Sequence, residues 1–276
     1  MDKDRHDRAK RLGWFDLNKV SSAKVTVVGC GALGNEAVKD LALLGFKDLT
    51  LVDMDKVVGA NLNRCLFFSN NDAVTGTLKV KAVMRGAKAL APDIKFTVRA
   101  KKVEDLGEEL VDGADIILGC LDNIAARVHI NAYARKAGVP YIDGGTNGLV
   151  GKVQVVRDTG PCLECGMNRT HMKVMNMRQS CTGEDVTFFT PRLAAEITTT
   201  SVIAAVQVRE ALKIVCGLDD KLLSGLFYYD GLRNESSVLE LDINPKCPHH
   251  SSEKVGDGAG IMSTGARKPG EVDDLG

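Results

Sequence analysis

Residues 25–34 read Val-Thr-Val-Val-Gly-Cys-Gly-Ala-Leu-Gly, an apolar run that passes directly into a glycine-rich turn. Gly29, Gly31 and Gly34 fit G-x-G-x-x-G. Glycines at this spacing permit a tight turn and close backbone approach, and the following helix offers free N–H groups to a phosphate. Asp53 lies about 20 residues on, placed to accept from ribose hydroxyls. To this point a nicotinamide dehydrogenase fits equally well. Asp55 and the cluster Asn61-Leu62-Asn63-Arg64 then favour ATP with its phosphates taking part in chemistry. Arg64 and Lys79 are cations that can reach a triphosphate, with Lys81 a rival for the lysine role. Asp122, just past another apolar run, is a natural ligand for Mg²⁺, which takes few protein oxygens beside substrate phosphates. Asp122-Asn123 also reads as a helix N-cap, and Asp122 could serve both purposes.

A second constellation is sulfur-rich. Cys162 and Cys165 form a C-x-x-C pair, and Cys247-Pro248-His249-His250 follows far along the chain. Cys162, Cys165, Cys247 and His250 would make a closed tetrahedral Zn²⁺ site, hence a structural one, clamping the region near 160 to the C-terminal end of the fold. His249 competes for the fourth position. A thioredoxin-like role is disfavoured because no helix start follows the first cysteine.

The elements that must position these groups follow from apolar periodicity. Strands are expected at 24–28, 49–53, 95–99 and 114–120, and one begins at 140. Helices are expected at 32–45, at 78–91 before Pro92, and at 123–137 before Gly138. That rhythm means a Rossmann-like α/β fold, a mostly parallel sheet with helices on both faces. After 148 the pattern changes to a C-terminal antiparallel extension. It comprises a strand at 149–156, a polar stretch to 190, a helix at 191–215 opened by Pro191, and a hairpin of 226–229 with 238–241. Thr198 to Ser201 would fall within that helix as packing residues. Residues 1–20 read as a charged N-terminal arm with an apolar patch at Leu12, Trp14, Phe15 and Leu17. Residues 21–250 are expected to form one domain with its zinc clamp, and 251–276 a disordered tail.

Composition narrows the partners. The 36 basic and 36 acidic residues balance, which argues against a nucleic-acid coat or a membrane surface. The start is too charged for a signal peptide, and no apolar run approaches the ~20 residues of a membrane span. Eight cysteines at these spacings point to metal and thiol chemistry in a reducing cytoplasm.

The order of motifs resembles the superfamily of ubiquitin-like-protein activating enzymes, including ThiF/MoeB-type adenylyltransferases. The matching pieces are Gly29 to Gly34, Asp53-Met54-Asp55, Asn61 to Arg64, Lys79 and Leu121-Asp122-Asn123, within roughly residues 5–250. Arg5 and Arg8 resemble paired arginines near that family's N-terminus, the second of which reaches the ATP of a partner subunit. The resemblance therefore implies a homodimer. It also implies adenylation of the C-terminal carboxylate of a small ubiquitin-fold protein ending in Gly-Gly. Asn61 and Asn63 would orient the phosphates or the carboxylate. Cys181, in Arg178-Gln179-Ser180-Cys181, stands where thioester-forming members place the acceptor, with transfer onward to a conjugating enzyme. Sulfur-carrier adenylation for thiamine, molybdopterin or tRNA thiolation is the alternative branch. Cys65 stands where the family usually has glutamine, and His250 where it usually has cysteine. Cys30, Cys120 and Cys216 lie beside apolar elements and read as core.

Overall fold

The computed structural model describes residues 4–167 and 194–250. Two short helices open it, α1 (Asp7–Lys10) and α2 (Leu17–Ser22). Asp16 caps α2 by accepting from the N–H groups of Asn18 (2.9 Å) and Lys19 (3.2 Å). Val20 and Phe15 are buried in the main core, so the expected arm boundary at residue 20 falls inside a packed element. The chain continues through β1 (Lys24–Val28), α3 (Ala32–Leu44), β2 (Asp48–Val52), α4 (Asn70–Thr75), α5 (Lys79–Leu90) and β3 (Lys95–Arg99). Next come β4 (Ile116–Gly119), α6 (Ile124–Ala137), β5 (Tyr141–Asn147) and β6 (Val150–Val156). The last elements are α7 (Ile197–Cys216), β7 (Leu226–Asp230) and β8 (Glu235–Leu239).

All eight strands form one sheet in the order β3-β2-β1-β4-β5-β6-β7-β8. The first five are parallel, and β6 to β8 run antiparallel. The chain leaves β1 toward β2 and β3, then returns to place β4 on β1's other side. Such a reversal opens a crevice at the carboxyl ends of β1 and β4, where open α/β sheets bind ligands.

Strand residues alternate between two cores, as the period of two requires. Val25, Val27, Ile116 and Leu118 pack on one face with α3, α5 and α7. Val28, Val52 and Ile117 pack on the other with Ala126, Ile130 and Ala134 of α6. Each fully buried Val, Leu or Ile contributes about 1.5–3 kcal/mol, which is what holds the strand ends in place under the crevice.

Two expected element boundaries move by three residues or more. The long helix begins at Ile197, not at 191, because Glu196 caps it. Its carboxylate accepts from the Thr198 N–H at 2.6 Å and from the Thr199 N–H, so Thr198 to Ser201 form the first turn. Pro191 lies outside the described residues. The second hairpin strand is 235–239, shifted by its register against β7, Leu226 opposite Leu239 and Asp230 opposite Glu235. Among the described residues no helix is long and apolar enough to cross a membrane.

Candidate functional site

Gly29 leaves β1 at φ +95°, a conformation that side chains rarely adopt, and a Cβ there would meet the Cys120 carbonyl oxygen at 2.4 Å. Gly34 is equally constrained: a Cβ would lie 2.0 Å from the Gly29 carbonyl oxygen, so the helix can sit this close to the turn only without a side chain. Gly31 is the N-cap of α3 and supplies no side-chain cap, so the helix's first N–H groups are left for an anion.

Asp53, one residue past β2, lies against this turn. One carboxylate oxygen accepts from the Cys30 N–H (2.7 Å) and the other from the Asp55 N–H (2.8 Å). Burial raises the Asp53 carboxyl above its ordinary range, against the pull of Lys79 and of these two N–H bonds. Lys79 opens α5, and its Nζ reaches Asp55 Oδ2 at 2.7 Å. Burial would lower the Lys79 ammonium, but Asp53 and Asp55 outweigh it, so it rises and stays charged. Lys81 is exposed on the helix, and the lysine of this cluster is Lys79.

The Asn-Leu-Asn-Arg segment follows a short turn over Gly59–Asn61. Asn61 Oδ1 accepts from the Val58 N–H at 3.1 Å. Arg64 Nη1 donates to the Ala60 carbonyl (2.5 Å) and to Asn63 Oδ1 (2.9 Å), which curls the guanidinium onto its own loop. Cys65 beside it is buried, and burial pushes its thiol up to about 11, so it is a packing group and not a thiolate. Burial likewise raises the Cys30 and Cys120 thiols. Cys216 is half-buried against the main core.

Asp122 and Asn123 divide the duties that the sequence left joined. Asn123 caps α6 by accepting from the Ala126 N–H at 2.8 Å. Asp122 does not cap: it is exposed at the carboxyl end of β4 with no hydrogen bond or ion pair among the described residues. That leaves its carboxylate available to a cation beside the crevice.

Three groups that the sequence reading missed stand behind these residues. Asn35, wholly buried, donates from Nδ2 to the Cys30 (3.0 Å) and Gly31 (2.9 Å) carbonyls and accepts the Phe67 N–H on Oδ1 (2.9 Å). Arg127, one helical turn beyond Asn123, grips buried Asp143 with Nε at 2.8 Å and with Nη2. Tyr141 donates to the same carboxylate at 2.6 Å, and burial holds its hydroxyl protonated. Gln207 of α7 donates to the Gly119 (2.9 Å) and Ile142 (3.0 Å) carbonyls, joining the ends of β4 and β5. An i, i+4 spacing near a G-x-G-x-x-G turn was the available signal for Asn35. The others depend on partners far away in sequence.

The sulfur cluster assembles as the sequence pattern requires. A single turn over Leu163–Gly166 brings Cys165 Sγ to 3.8 Å from Cys162 Sγ, and Cys247 Sγ lies 3.5 Å from Cys162 Sγ. The ligand atoms of Cys162, Cys165, Cys247 and His250 all lie within 4.8 Å of one another, a donor set that could hold a metal ion. His249 is not in this group: its Nε2 pairs with Glu164 Oε1 at 2.5 Å, so His250 is the fourth candidate ligand. Burial and the neighbouring thiols push Cys247 up to about 12, against a backbone N–H from His249. A bound dication would favour the thiolate form of such a sulfur. Arg135 of α6 braces the surroundings, donating to the Arg157 (2.6 Å), Asp158 (2.8 Å) and His249 (3.3 Å) carbonyls.

Arg8 is not brought to the crevice of its own chain. It lies on α1, whose neighbour His6 packs against Gly45 at the far end of α3. A helix of 13 residues separates the two places by about 20 Å. Cys181 lies outside the described residues.

Residues 4–249 match the model of the ThiF family. The chain is 29% identical over 249 residues to the molybdopterin-synthase adenylyltransferase of Salmonella typhimurium, covering 88% of this chain and 94% of that protein. It is 26% identical over 252 residues to the SAMP-activating enzyme E1 of Haloferax volcanii, covering 88% and 86%. It is 33% identical over 157 residues to SUMO-activating enzyme subunit 2 of Dictyostelium discoideum, but spans only 23% of that protein's length. Among solved structures, Escherichia coli MccB with ATP superposes with a TM-score of 0.72 at 22% identity, over 90% of this chain and 74% of that one, a likeness of fold.

Proposed function

The chain belongs to the ThiF family, and from that premise we propose that it uses ATP to adenylate the C-terminal carboxylate of a small ubiquitin-fold protein ending in Gly-Gly. The observation that carries the reading is the meeting of the glycine turn with Asp53 and, through Asp55, with Lys79 at the carboxyl ends of β1 and β2. The N–H groups of α3 receive phosphate, and Asp53 holds the ribose. Lys79 and Arg64 neutralise phosphate oxygens, and Asn61 and Asn63 orient the phosphates or the incoming carboxylate. In the reaction a carboxylate oxygen of the partner attacks the α-phosphorus, the bond to the β-phosphate oxygen breaks, and pyrophosphate leaves with the electron pair. Positioning and charge neutralisation supply most of the rate in such transfers. The free carboxylate of Asp122 fits a Mg²⁺ ligand, and the ion would add Lewis-acid neutralisation of the phosphates. Arg8 would come from a second subunit of a homodimer, a reading supported by its distance from its own crevice.

Cys181 then takes the acyl group: its thiolate attacks the adenylate's carbonyl carbon and AMP departs, leaving a thioester for a conjugating enzyme. Zn²⁺ is the ion we assign to Cys162, Cys165, Cys247 and His250, in a structural capacity. Seven free cysteines among the described residues support a reducing, cytoplasmic setting. Preparation of a sulfur carrier is a second reading, favoured by the near full-length match to the molybdopterin-synthase adenylyltransferase. Family membership supports ATP-dependent adenylation over a nicotinamide oxidoreductase.

The test is exchange of labelled pyrophosphate into ATP, driven by a purified ubiquitin-fold protein with its Gly-Gly-truncated form as control. Exchange should require the intact partner and vanish in Asp122→Ala with the fold unchanged. Exchange retained by that variant would remove Asp122 from the mechanism, and exchange with no partner requirement would refute the substrate class.

A further inference from the structure

A turn that aims its N–H groups at an anion must aim carbonyls elsewhere, and buried carbonyls need donors. In this chain the donor is Asn35. Both hydrogens of its amide are spent on the turn, one on the Cys30 carbonyl at 3.0 Å and one on the Gly31 carbonyl at 2.9 Å. Its oxygen is spent on a different segment, the Phe67 N–H at 2.9 Å, 32 residues along the chain. Phe67 lies three residues beyond Arg64, and its ring packs so tightly on α5 that a Cβ at Gly86 would lie 2.3 Å from it. The loop carrying Asn61, Asn63 and Arg64 is therefore anchored at its exit by a ring against α5 and by an N–H against Asn35.

We propose that Asn35 is a positioning residue that fixes the Arg64 loop against the phosphate-binding turn, so that both sides of the site engage one triphosphate together. The proposal rests on the ATP reading given above. Asn35 does not touch the nucleotide. It acts through the carbonyls of the turn and through the amide of Phe67. A serine, alanine or cysteine at position 35 could not bridge the two segments, because none carries two donors and an acceptor on a planar group of that reach.

The experiment is a double-mutant cycle on the full chain, with ATP–Mg²⁺ binding read by calorimetry and pyrophosphate exchange read for KM and kcat. Asn35→Ala should raise the KM for ATP by about tenfold or more and lose most of that effect in an Arg64→Ala background. A residue that only stabilises the fold would lower the melting temperature and leave the KM of the folded protein where it was, with additive effects in the cycle. That result overturns the proposal. Should Asn35→Ala fail to fold, the unchanged chain gives the answer by hydrogen exchange with saturating adenosine, which has no phosphate for Arg64. Slower exchange of the Phe67 amide supports the link. Protection confined to the turn at 29–35 overturns it. Absence of ATP binding by the unchanged chain would instead remove the ATP reading, and the proposal with it.

Discussion

Replacing Asp53 by asparagine removes one charge and one acceptor at the point where the second strand meets the glycine turn. The carboxylate accepts two backbone N–H groups, from Cys30 at 2.7 Å and Asp55 at 2.8 Å, one on each oxygen. An amide offers one acceptor oxygen and one NH₂, so one of these N–H groups must face another donor. Losing a hydrogen bond to a charged group costs about 1.5–3 kcal/mol. Relief of the carboxylate's own burial, which raises its pKa, offsets part of that in the free protein. No such relief helps the ribose, whose hydroxyls lose a charged acceptor. Asp53→Asn should therefore weaken ATP binding by roughly 10- to 150-fold, while unfolding less than its hydrogen-bond count suggests. The pH dependence has a definite sign. A carboxyl raised on folding makes the native state bind more protons than the unfolded one. Its contribution to stability is full below the ordinary value of 3.8 and declines as pH rises through the native value. The stability advantage of wild type over Asp53→Asn should accordingly shrink between acid and neutral pH. Calorimetric titration with ATP–Mg²⁺ and melting curves across that range measure both. Unchanged ATP affinity, within twofold or so, would refute the placement of Asp53 at the ribose.

The metal centre makes a sharper distinction between neighbours. Purified protein should carry Zn²⁺, a strong chelator should lower its melting temperature, and His250→Ala should lose the ion while His249→Ala retains it, as read by elemental analysis. Cys181→Ala should leave adenylate formation intact and abolish a reductant-sensitive conjugate with the partner. Survival of that conjugate on non-reducing gels would exclude Cys181 as acceptor. At the start of α7, burial opposes ionisation of Glu196, but bonds from Thr198 and Thr199 prevail and hold it at about 2, below its ordinary 4.5. Its stabilisation is therefore present above the ordinary value and lost as pH falls toward about 2. Glu196→Ala should cost about 0.5–2 kcal/mol near neutrality and flatten acid unfolding on that limb.

Much of this architecture was legible in the chain because it is local. The run Val25 to Val28 and the glycines that follow it specify a strand and a turn within a few residues, and Gly138 and Pro92 mark helix ends by backbone chemistry alone. The C-x-x-C pair closes on itself through a single turn, with the Cys165 N–H donating to the Cys162 carbonyl at 3.1 Å. What the sequence withheld has non-local causes. Pro191, a familiar opening residue, points to an earlier start for α7, whereas the cap is Glu196, whose carboxylate accepts from the N–H groups of the threonines that follow it. The choice between His249 and His250 turned on Glu164, 85 residues away, which draws His249 aside. Asn35 and Arg127 look like ordinary helix residues until Phe67 and Asp143 are brought beside them. Asp122 lost its capping role to Asn123 by one position, a distinction that only φ, ψ and the Ala126 N–H decide.

The central claim, that dispersed cations and one free carboxylate gather around a metal-bound triphosphate, is open to direct observation. A crystal of the chain with a non-hydrolysable ATP analogue and Mn²⁺, located by its anomalous scattering, should show the ion on Asp122, phosphate oxygens within reach of Lys79 and Arg64, and the ribose on Asp53. Manganese bound away from Asp122, or a nucleotide whose phosphates turn from the Gly29–Gly34 loop, would contradict it.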